Sequence, residues 1–306
     1  MRALQQRSLA GPQDLHLVEL PVPTPRDGEV LLRVAAAGVN FVDVSRSHGT
    51  FGNNPQPPFV AGFESAGEVV ATGAKVVCAG PGAFAEYMIA PTAMPIPDGW
   101  TCEQALGLVV NWPTALAAFK LGRLAAGETV LVHAAAGATG QAALALARHR
   151  GARVIAAAST PKHVEADQVV DSRAPDLAAR VLELTGGRGV DLVLESAGGE
   201  TLAASLAATK RVTGRVVVVG LAGGIATFSN WDLVYTHPVQ IIGFNLGVLI
   251  QTAPQIFGEI MGELGALIGA GVIAPARPTR YALADGRQAL LDLEQRTTIG
   301  KLALIP

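Results

Sequence analysis

The segment that most constrains the fold lies in the middle of the chain and has the pattern of strand, turn, helix and second strand. One apolar run covers residues 129–134 and another covers 153–157, with an alanine-rich helix between them. The turn after the first run has the spacing Ala135-x-Gly137-x-x-Gly140, a variant of the glycine pattern with which βαβ units bind dinucleotides. Small residues there let backbone N–H groups approach a pyrophosphate. We therefore predict a nucleotide-binding parallel sheet, although an α/β turn without a ligand would have a similar pattern.

Composition supports a folded protein and excludes several partners. The 306 residues are half hydrophobic and 16% charged, and the net charge is −2. Such a chain can form a large core, and its length suggests two domains. The near-neutral charge provides no basic surface for nucleic acid or anionic membrane. Because neither a signal-peptide region nor a transmembrane-length apolar run is visible, we expect a soluble, cytoplasmic protein that binds neither nucleic acid nor membrane.

The residues that usually bind metal ions are few and scattered. Cys78 and Cys102 are isolated, and none of the six histidines forms a His-x-x-His pair. Zinc sites need closely spaced cysteines and histidines. We therefore expect no metal site, and we expect His133, in the first strand of the nucleotide sheet, to be a packed residue of the core or its rim.

Changes in composition and pattern along the chain predict its domains. Residues 1–110 are rich in proline and glycine and contain short β-like runs. From residue 113 helices and strands alternate, which is typical of a parallel sheet with crossover helices. We predict its strands at 129–134, 153–157, 168–171, 190–195, 215–220 and 239–244. Helices are predicted at 255–271 and 285–295, and a closing strand at 300–305. The predicted fold is an α/β protein with a β-rich domain (1–110 and 246–306) and an inserted nucleotide-binding domain (111–245).

Several motifs in one order resemble a known family. They are Ala37-Gly-Val-Asn40-Phe-Val-Asp43, the run from Pro58 to Val70 with Gly62-Phe63-Glu64, Gly82-Ala-Phe-Ala-Glu86-Tyr87, the turn at 134–140, and Gly300-Lys301. Over nearly its full length the chain resembles the zinc-free quinone oxidoreductases, zeta-crystallin-like enzymes of the medium-chain dehydrogenase/reductase superfamily. The resemblance implies a GroES-like β-rich catalytic domain, a doubly wound Rossmann domain and NADPH-linked hydride transfer. Zinc alcohol dehydrogenases have histidine where this chain has Phe63, so the resemblance also implies chemistry without zinc.

The resemblance implies two catalytic residues. Asn40 resembles the family asparagine that faces the nicotinamide, and Thr114 resembles the threonine that approaches the nicotinamide or the substrate. Without the resemblance, Asn40 would be interpreted as a turn residue and Thr114 as a residue at a helix start. Asn111 is a further candidate donor. Glu64 and Glu86 lie in apolar stretches and are candidates either for acid catalysis or for structural hydrogen bonds.

The second strand of the nucleotide sheet indicates which cofactor is bound. NAD-selective domains have a carboxylate about twenty residues after the glycine turn, whereas this chain has none from Ala157 until Glu165. Ser159, Lys162 and Arg173 would instead suit the 2′-phosphate of NADPH, although Lys162 could also be an ordinary surface lysine. The resemblance extends the set of cofactor contacts to Asn40, Thr114, Ala136, Gly137, Ala138, Thr139, Gly140, Ala197, Gly220, Phe244 and Lys301.

The chain also departs from the family. The segments at 71–84 and 160–170 are short, and residues 49–53 lack the tyrosine that many relatives place near the substrate. Three functions therefore stay open. They are an NADPH-dependent reductase of quinones or α,β-unsaturated ketones, a dedicated enoyl reductase of a biosynthetic pathway, and a non-catalytic NADPH-binding protein. The apolar edge strand at 239–244 needs a cover, and the resemblance implies that it pairs in a homodimer.

Overall fold

The computed structural model describes residues 1–52, 54–90, 93–159 and 164–306. The chain forms two compact units. The first unit contains Met1–Val110 and Ala274–Pro306, and the second contains Asn111–Ile273. The second unit is therefore inserted in the chain between the two parts of the first.

The first unit is built mainly from β-strands. Its strands are β1 (Arg2–Gln6), β2 (Leu15–Glu19), β3 (Val30–Val39), β4 (Phe59–Val60), β5 (Glu64–Val69), β6 (Lys75–Ala79), β7 (Tyr87–Ala90), β8 (Ala93–Pro95), β15 (Thr279–Ala282) and β16 (Leu302–Ile305). Two sheets result, one of order β2-β1-β4 and one of order β15-β16-β3-β5-β6-β8 with β7 also on β3. Helices α1 (Phe41–Ser47) and α8 (Gly286–Glu294) accompany them. Phe84, Leu32 and Leu304 belong to the apolar core of this unit.

The long strand β3 organises the larger sheet. Its first half pairs with β7, and its second half pairs with β16, while β5 runs antiparallel to it on the other side. The register places Gly38 opposite Glu64 and Val39 opposite Leu302. Residues at the end of β3, the start of β5 and the start of β16 therefore meet. The short segment after Glu68 is accommodated because β5 and β6 form a direct antiparallel hairpin.

The second unit contains a six-stranded parallel sheet. Its strands are β9 (Thr129–Val132), β10 (Arg153–Ala158), β11 (Gln168–Asp171), β12 (Leu192–Glu195), β13 (Arg215–Val218) and β14 (Gln240–Gly243). The spatial order is β11-β10-β9-β12-β13-β14, the order of a doubly wound dinucleotide-binding sheet. Each strand lies within one of the six runs predicted from the sequence except β10, which extends one residue further. The central strands are almost fully buried because helices cover such sheets.

The second unit extends further along the chain than the sequence suggested, because it includes two helices after β14. Its helices are α2 (Asn111–Leu121), α3 (Ala138–His149), α4 (Leu177–Leu184), α5 (Glu200–Ala208), α6 (Leu246–Thr252) and α7 (Pro254–Gly269). Residues 246–273 were predicted to belong to the β-rich domain, but they group with the second unit. The reason is that α7 packs on α2 and is held there by ion pairs from Lys120 to Glu259 and from Arg150 to Glu263, both 2.7 Å. Hydrophobic periodicity predicts such a helix but not its partner.

Candidate functional site

The predicted cofactor contacts of the second unit lie at one edge of its sheet. Apart from Thr114 on α2, those within the described residues follow the carboxyl end of a strand, with Ala136–Gly140 after β9, Ser159 after β10, Arg173 after β11, Ala197 after β12, Gly220 after β13 and Phe244 after β14. The chain leaves β9 toward β10 on one side and later returns to β12 on the other. Ligands of open α/β sheets bind at the carboxyl edge at such a switch point. Lys162, also predicted to bind the cofactor, lies outside the described residues.

The turn after β9 has the close packing that a pyrophosphate cradle needs. Gly137 caps α3 with an extended backbone (φ −78°, ψ 169°). A Cβ on Gly140 would lie 2.3 Å from the carbonyl oxygen of Ala134 and 2.6 Å from the Cα of Ala135, so only glycine fits there. Asn111 at the start of α2 donates from Nδ2 to Oγ1 of Thr139, 3.0 Å away. The turn therefore brings the N-terminus of α3, with its N–H groups, close to the backbone that precedes it.

The ends of β10 and β11 bring a hydroxyl group and a cation to neighbouring positions. Ala158 pairs with Asp171 in the parallel register, and the backbone N–H of Ser172 donates to the carbonyl oxygen of Ala158 at 3.3 Å. Ser159 follows Ala158 by one position, and Arg173 follows Asp171 by two positions. Arg173 is exposed, and its backbone N–H donates to Asp171 Oδ1 at 2.9 Å. The two described residues that were predicted to bind the 2′-phosphate, Ser159 and Arg173, therefore follow neighbouring strand ends.

A buried polar cluster lies beneath the same edge, and no motif in the sequence indicates it directly. It consists of His133 after β9, Glu195 at the end of β12 and Ser205 on α5, which are 1%, 0% and 0% exposed. Ser205 Oγ donates to Glu195 Oε2 and lies 2.9 Å from His133 Nε2. The expected burial of His133 is observed. Its partners are far away along the chain, so only the strand order brings them together.

The three residues of this cluster are those of a hydrolytic triad, but their arrangement is different. In a triad the carboxylate orients the histidine and the histidine accepts the hydroxyl proton of serine. Here the hydroxyl of Ser205 donates directly to the carboxylate of Glu195, so it is not available for activation by His133. The other carboxylate oxygen, Glu195 Oε1, accepts the backbone N–H groups of Ala197 and Gly198 at 2.7 and 3.0 Å. The geometry is that of a structural anchor.

The first unit contains a second buried cluster at the junction of β3, β5 and β16. Glu64 is fully buried, and its Oε2 lies 2.5 Å from the Nζ of Lys301. The Nζ also donates to Oδ1 of Asn40 at 2.7 Å, and Nδ2 of Asn40 donates to Glu64 at 2.9 Å. Glu64 Oε1 accepts the backbone N–H of Gly107. Of the roles left open for Glu64, structural hydrogen bonding is the one visible here.

The hydrogen bonds of Asn40 bear on its predicted catalytic role. Its Nδ2 also lies 3.3 Å from the carbonyl oxygen of Gly38, so both amide hydrogens have acceptors in the first unit. Asn40 is also the N-cap of α1. Donation from its Nδ2 to a nicotinamide would therefore require the side chain to share or exchange one of these two bonds. Thr114, the other predicted catalytic residue, lies partly buried in the first turn of α2.

Asp43 is a titratable residue that sequence reasoning did not assign. Its Oδ2 accepts the backbone N–H of Asn40 at 2.9 Å, and its Oδ1 has no hydrogen-bond partner among the described residues. It lines a cavity of about 60 Å³ together with Gln6 and Arg46. Burial raises the pKa of the Asp43 carboxyl to about 7, and the hydrogen bond from Asn40 and the nearby Lys301 oppose this shift. The Asn40-x-x-Asp43 spacing of a capping box could have indicated this contact.

Other candidates have ordinary surroundings. Glu86 is partly exposed and pairs with Arg2 at 2.8 Å, and hydrogen bonds from the backbone and side chain of Arg2 lower the pKa of its carboxyl. Phe63 lies under the guanidinium of Arg46, 4.7 Å from the ring centroid. Within the part of the chain that the structure describes, no three His, Cys, Asp or Glu residues are grouped so that they could hold a metal ion. Nor does any helix in that part have the length and apolarity to cross a membrane.

The folds of the two units define a class of protein, one with a GroES-like domain and a Rossmann-like parallel sheet. Residues 26–98 match the alcohol dehydrogenase GroES-like domain, and residues 138–261 match the zinc-binding dehydrogenase family. The quinone oxidoreductase of Thermus thermophilus, studied also in complex with NADPH, is 32% identical, with all of both chains covered and a TM-score of 0.85. The chain belongs to the zinc-free quinone oxidoreductase family of the medium-chain dehydrogenase/reductase superfamily.

Two further relatives are an enoyl reductase and a reducing polyketide synthase. The CurK enoyl reductase has a TM-score of 0.86 at 26% identity, with 99% of this chain and 98% of that chain covered. The reducing polyketide synthase rads1 of Floropilus chiversii is 32% identical over 305 residues, which is 91% of this chain and 12% of that protein. The chain spans between 8% and 13% of the length of three curated synthases that it matches, rads1 among them.

Proposed function

We propose that this protein transfers hydride from NADPH to a quinone or an α,β-unsaturated ketone without zinc. The observation that carries the proposal is the carboxyl edge of the six-stranded sheet, where six strand ends present the turn at 134–140 and the residues predicted to contact the cofactor. The relative from Thermus thermophilus is a quinone oxidoreductase with an NADPH complex. A net transfer adds one hydride and one proton to the acceptor, so the reaction consumes one NADPH per two-electron reduction.

The residues of the turn fit NADPH. Gly140 is excluded from carrying a side chain by the backbone of Ala134, and the N-terminus of α3 begins directly after Gly137. We propose that this turn holds the pyrophosphate, and that Ser159, Lys162 and Arg173 hold the 2′-phosphate. Bound NADPH would supply the hydride. The protein would supply orientation and hydrogen bonds to the oxygen on which negative charge develops.

Asn40 and Thr114 are proposed as the donors to that oxygen or to the nicotinamide. Neutral donors can stabilise an oxyanion without a metal ion when they are fixed in advance. In the first unit, Lys301 and Glu64 orient the amide of Asn40 through bonds of 2.7 and 2.9 Å, and its longer bond to the carbonyl oxygen of Gly38, 3.3 Å, is the one that it would exchange. Thr114 is held in the first turn of α2. The roles of both residues stay predictions.

A dedicated enoyl reductase is the second candidate function. The observations that favour it are the similarity to the CurK enoyl reductase and the 91% of this chain that aligns with a reducing polyketide synthase. The absence of tyrosine from residues 49–53 favours it as well. Both candidates share the hydride step and differ in the acceptor. A non-catalytic NADPH-binding protein is the third.

Steady-state oxidation of NADPH, measured by its absorbance with matched panels of quinones, enones and acyl thioester enoyl substrates, separates the three functions. We expect turnover with quinones or enones, and activity that survives dialysis against a chelator. Turnover with enoyl thioesters alone would favour the second function. Binding of NADPH with no turnover on any panel would favour the third, and a zinc requirement would contradict the proposal itself.

We also propose that the protein forms a homodimer through β14. The strand lies at the edge of the parallel sheet, and the chain around it exposes large apolar side chains, namely Leu221, Ile225, Phe228, Trp231, Val234, Tyr235, Val248 and Ile250. Exposed apolar side chains that form one patch mark interaction surfaces, and an isologous contact here would cover the strand in both copies. Light scattering at micromolar concentration tests this, and a monomer would contradict it.

A further inference from the structure

The buried cluster of His133, Ser205 and Glu195 has no role in the proposed hydride transfer, yet it lies directly beneath the edge that would receive the cofactor. All three side chains are at most 1% exposed. Burial of a carboxylate is costly unless donors surround it. The hydrogen bonds of the cluster therefore indicate what the carboxylate does there.

Three neutral donors surround the carboxyl group of Glu195. Its two oxygens accept from the backbone N–H groups of Ala197 and Gly198 and from the hydroxyl of Ser205. Hydrogen bonds of this kind favour the charged carboxylate. Because Ser205 donates its one hydroxyl hydrogen to Glu195, it accepts the next bond from Nε2–H of His133, at 2.9 Å. Burial lowers the pKa of His133, although Glu195 opposes the shift, which favours the neutral imidazole that this hydrogen-bond pattern needs.

The carboxyl group of Glu195 binds a loop. The loop at 196–199 follows β12, and two of its four N–H groups bond to Glu195. On its other side the loop bonds to the segment after β13, since Gly223 N–H donates to Ala197 and Gly199 N–H donates to Gly224. Gly198 has φ +70°, and a Cβ there would lie 2.5 Å from the oxygen of Gly224. The loop is thus clamped between the carboxylate and the next loop, in a conformation that favours glycine.

The position of the loop defines which part of the cofactor it would serve. A doubly wound sheet binds one mononucleotide on each side of its switch point. Ser159 and Arg173 lie on the β10–β11 side, where the 2′-phosphate is proposed to bind. The loop at 196–199 lies on the β12–β14 side. By this division, the loop would contact the nicotinamide mononucleotide half of the cofactor.

We propose that His133, Ser205 and Glu195 form a positioning unit that fixes the loop 196–199 for the nicotinamide half of NADPH. This inference rests on the proposed function. Glu195 accepts hydrogen bonds from the two amides of the loop. Ser205 orients the carboxyl group by donating to it, and His133 orients the hydroxyl group of Ser205. None of the three touches the reacting atoms.

The experiment compares two probes that share the adenosine half. NADPH and adenosine 2′,5′-bisphosphate are titrated against wild type, Ser205→Ala, Glu195→Ala and Glu195→Gln. Loss of one hydrogen bond to a charged group changes a binding constant by about tenfold. We expect Ser205→Ala and Glu195→Ala to raise the Kd of NADPH about tenfold or more, with the Kd of the bisphosphate unchanged. Glu195→Gln retains an oxygen for Ala197 and Gly198, so it should restore most of the NADPH affinity.

A second measurement does not need any cofactor. Amide hydrogen exchange at Ala197 and Gly198 should be faster in Ser205→Ala and Glu195→Ala than in wild type. Thr185→Val is the matched control. Its buried hydroxyl bonds to Val181 and Gly189 just before β12, at the opposite end of the strands. It should lower thermal stability like Ser205→Ala but leave both Kd values and the exchange at Ala197 unchanged.

The outcomes distinguish this inference from the function on which it rests. If wild type binds the bisphosphate but not NADPH, or neither probe, the proposed function fails and the positioning unit fails with it. If wild type binds both probes and the variants weaken both equally, or weaken neither, the positioning unit alone is wrong. Selective loss of NADPH affinity together with faster exchange supports it.

Discussion

Each unit of the protein buries a glutamate completely, and the two units stabilise it in different ways. In the β-rich unit, Glu64 has a cationic partner, Lys301, at 2.5 Å. In the unit with the parallel sheet, Glu195 is surrounded by two backbone amides and a serine hydroxyl, and the nearby His133 has a lowered pKa. The first arrangement is an ion pair without net charge. The second is a carboxyl group that binds only neutral hydrogen-bond donors.

This difference shows how fold context determines the partner of a buried acid. The end of a parallel strand leads into a loop whose amides point back toward the strand end, and these amides can solvate Glu195. Glu64 begins an antiparallel strand, where most neighbouring amides are committed to the ladder with β3 and β6. A side-chain cation supplies the missing stabilisation. Asp43 is a third case, with one amide donor and one oxygen that has no partner among the described residues, and burial raises the pKa of its carboxyl to about 7.

The largest expected effect comes from removing the cation of the first cluster. Lys301→Met leaves Glu64 as an uncompensated charge in a buried site, which typically costs about 3–5 kcal/mol. Urea unfolding should show a loss of this size in the free energy of unfolding.

The double variant Glu64→Gln/Lys301→Met is the control for this prediction. It removes both charges, so it should recover most of the stability lost by Lys301→Met. Glu195→Gln in the other cluster should cost less than Lys301→Met, because no charged partner is left behind. A loss below about 1 kcal/mol for Lys301→Met would mean that the ion pair behaves like an exposed one.

The second effect concerns pH. Because the pKa of Asp43 is raised to about 7 in the folded protein from 3.8, folding favours the protonated carboxyl. Its contribution to stability is complete below pH 3.8 and is lost as the pH rises toward and through 7. By linkage the loss amounts to at most about 4 kcal/mol. Asp43→Asn cannot ionise and should flatten this part of the profile of unfolding free energy between about pH 4 and 8.

The comparison for Asp43 is made within each protein rather than between proteins. The wild type should lose more stability between about pH 5 and pH 8 than Asp43→Asn does, whatever the absolute stabilities are. Asp171→Asn, at an exposed position, serves as the control and should follow the wild-type profile. Parallel profiles for wild type and Asp43→Asn would show that Asp43 ionises at its ordinary pH.

Particular residues show how far the sequence could predict this structure. The apolar runs and the glycine turn at 134–140 predicted the strands and their order along the chain, because periodicity and close packing are local properties. The cluster of Asn40, Glu64 and Lys301 could not be predicted in the same way. It depends on the register of β3 with β5 and β16, and partners separated by 24 to 261 positions meet there.

The same limit explains the helix α7 and the cluster around His133. The sequence predicted a helix at 255–271, but its assignment to the β-rich domain differs from the observed grouping, since α7 packs on α2. His133 was expected to be buried, which is a property of its strand. Ser205 is its neighbour because of the way α5 packs on the sheet, and no local sequence pattern predicts that packing. The chemical roles of the site residues stay predictions for a related reason, because they depend on a bound substrate.

A third prediction compares one residue from each unit during turnover. Asn40→Ala and Thr114→Ala should each lower kcat about a hundredfold, the usual effect of removing one fixed donor to developing charge, equivalent to about 2.7 kcal/mol. For both, the effect on kcat should exceed the loss in unfolding free energy. Asn40→Ala should cost more stability than Thr114→Ala, because Asn40 bonds to Glu64 and Lys301. Wild-type kcat in both variants would exclude these residues from the catalytic site.

The smallest effect concerns the choice of cofactor at the β10–β11 side of the parallel sheet. With no carboxylate after Ala157 until Glu165, and with Ser159 and Arg173 at adjacent strand ends, NADPH should bind about tenfold more tightly than NADH, a difference of about 1.4 kcal/mol. Lys162→Ala and Arg173→Ala should each weaken NADPH and leave NADH nearly unchanged, because only NADPH has the 2′-phosphate. Arg180→Ala, in an exposed ion pair with Glu183 on α4, is the control and should change neither affinity. Fluorescence titration of both cofactors measures these constants, and equal affinities in the wild type would show that this corner of the sheet does not select the phosphate.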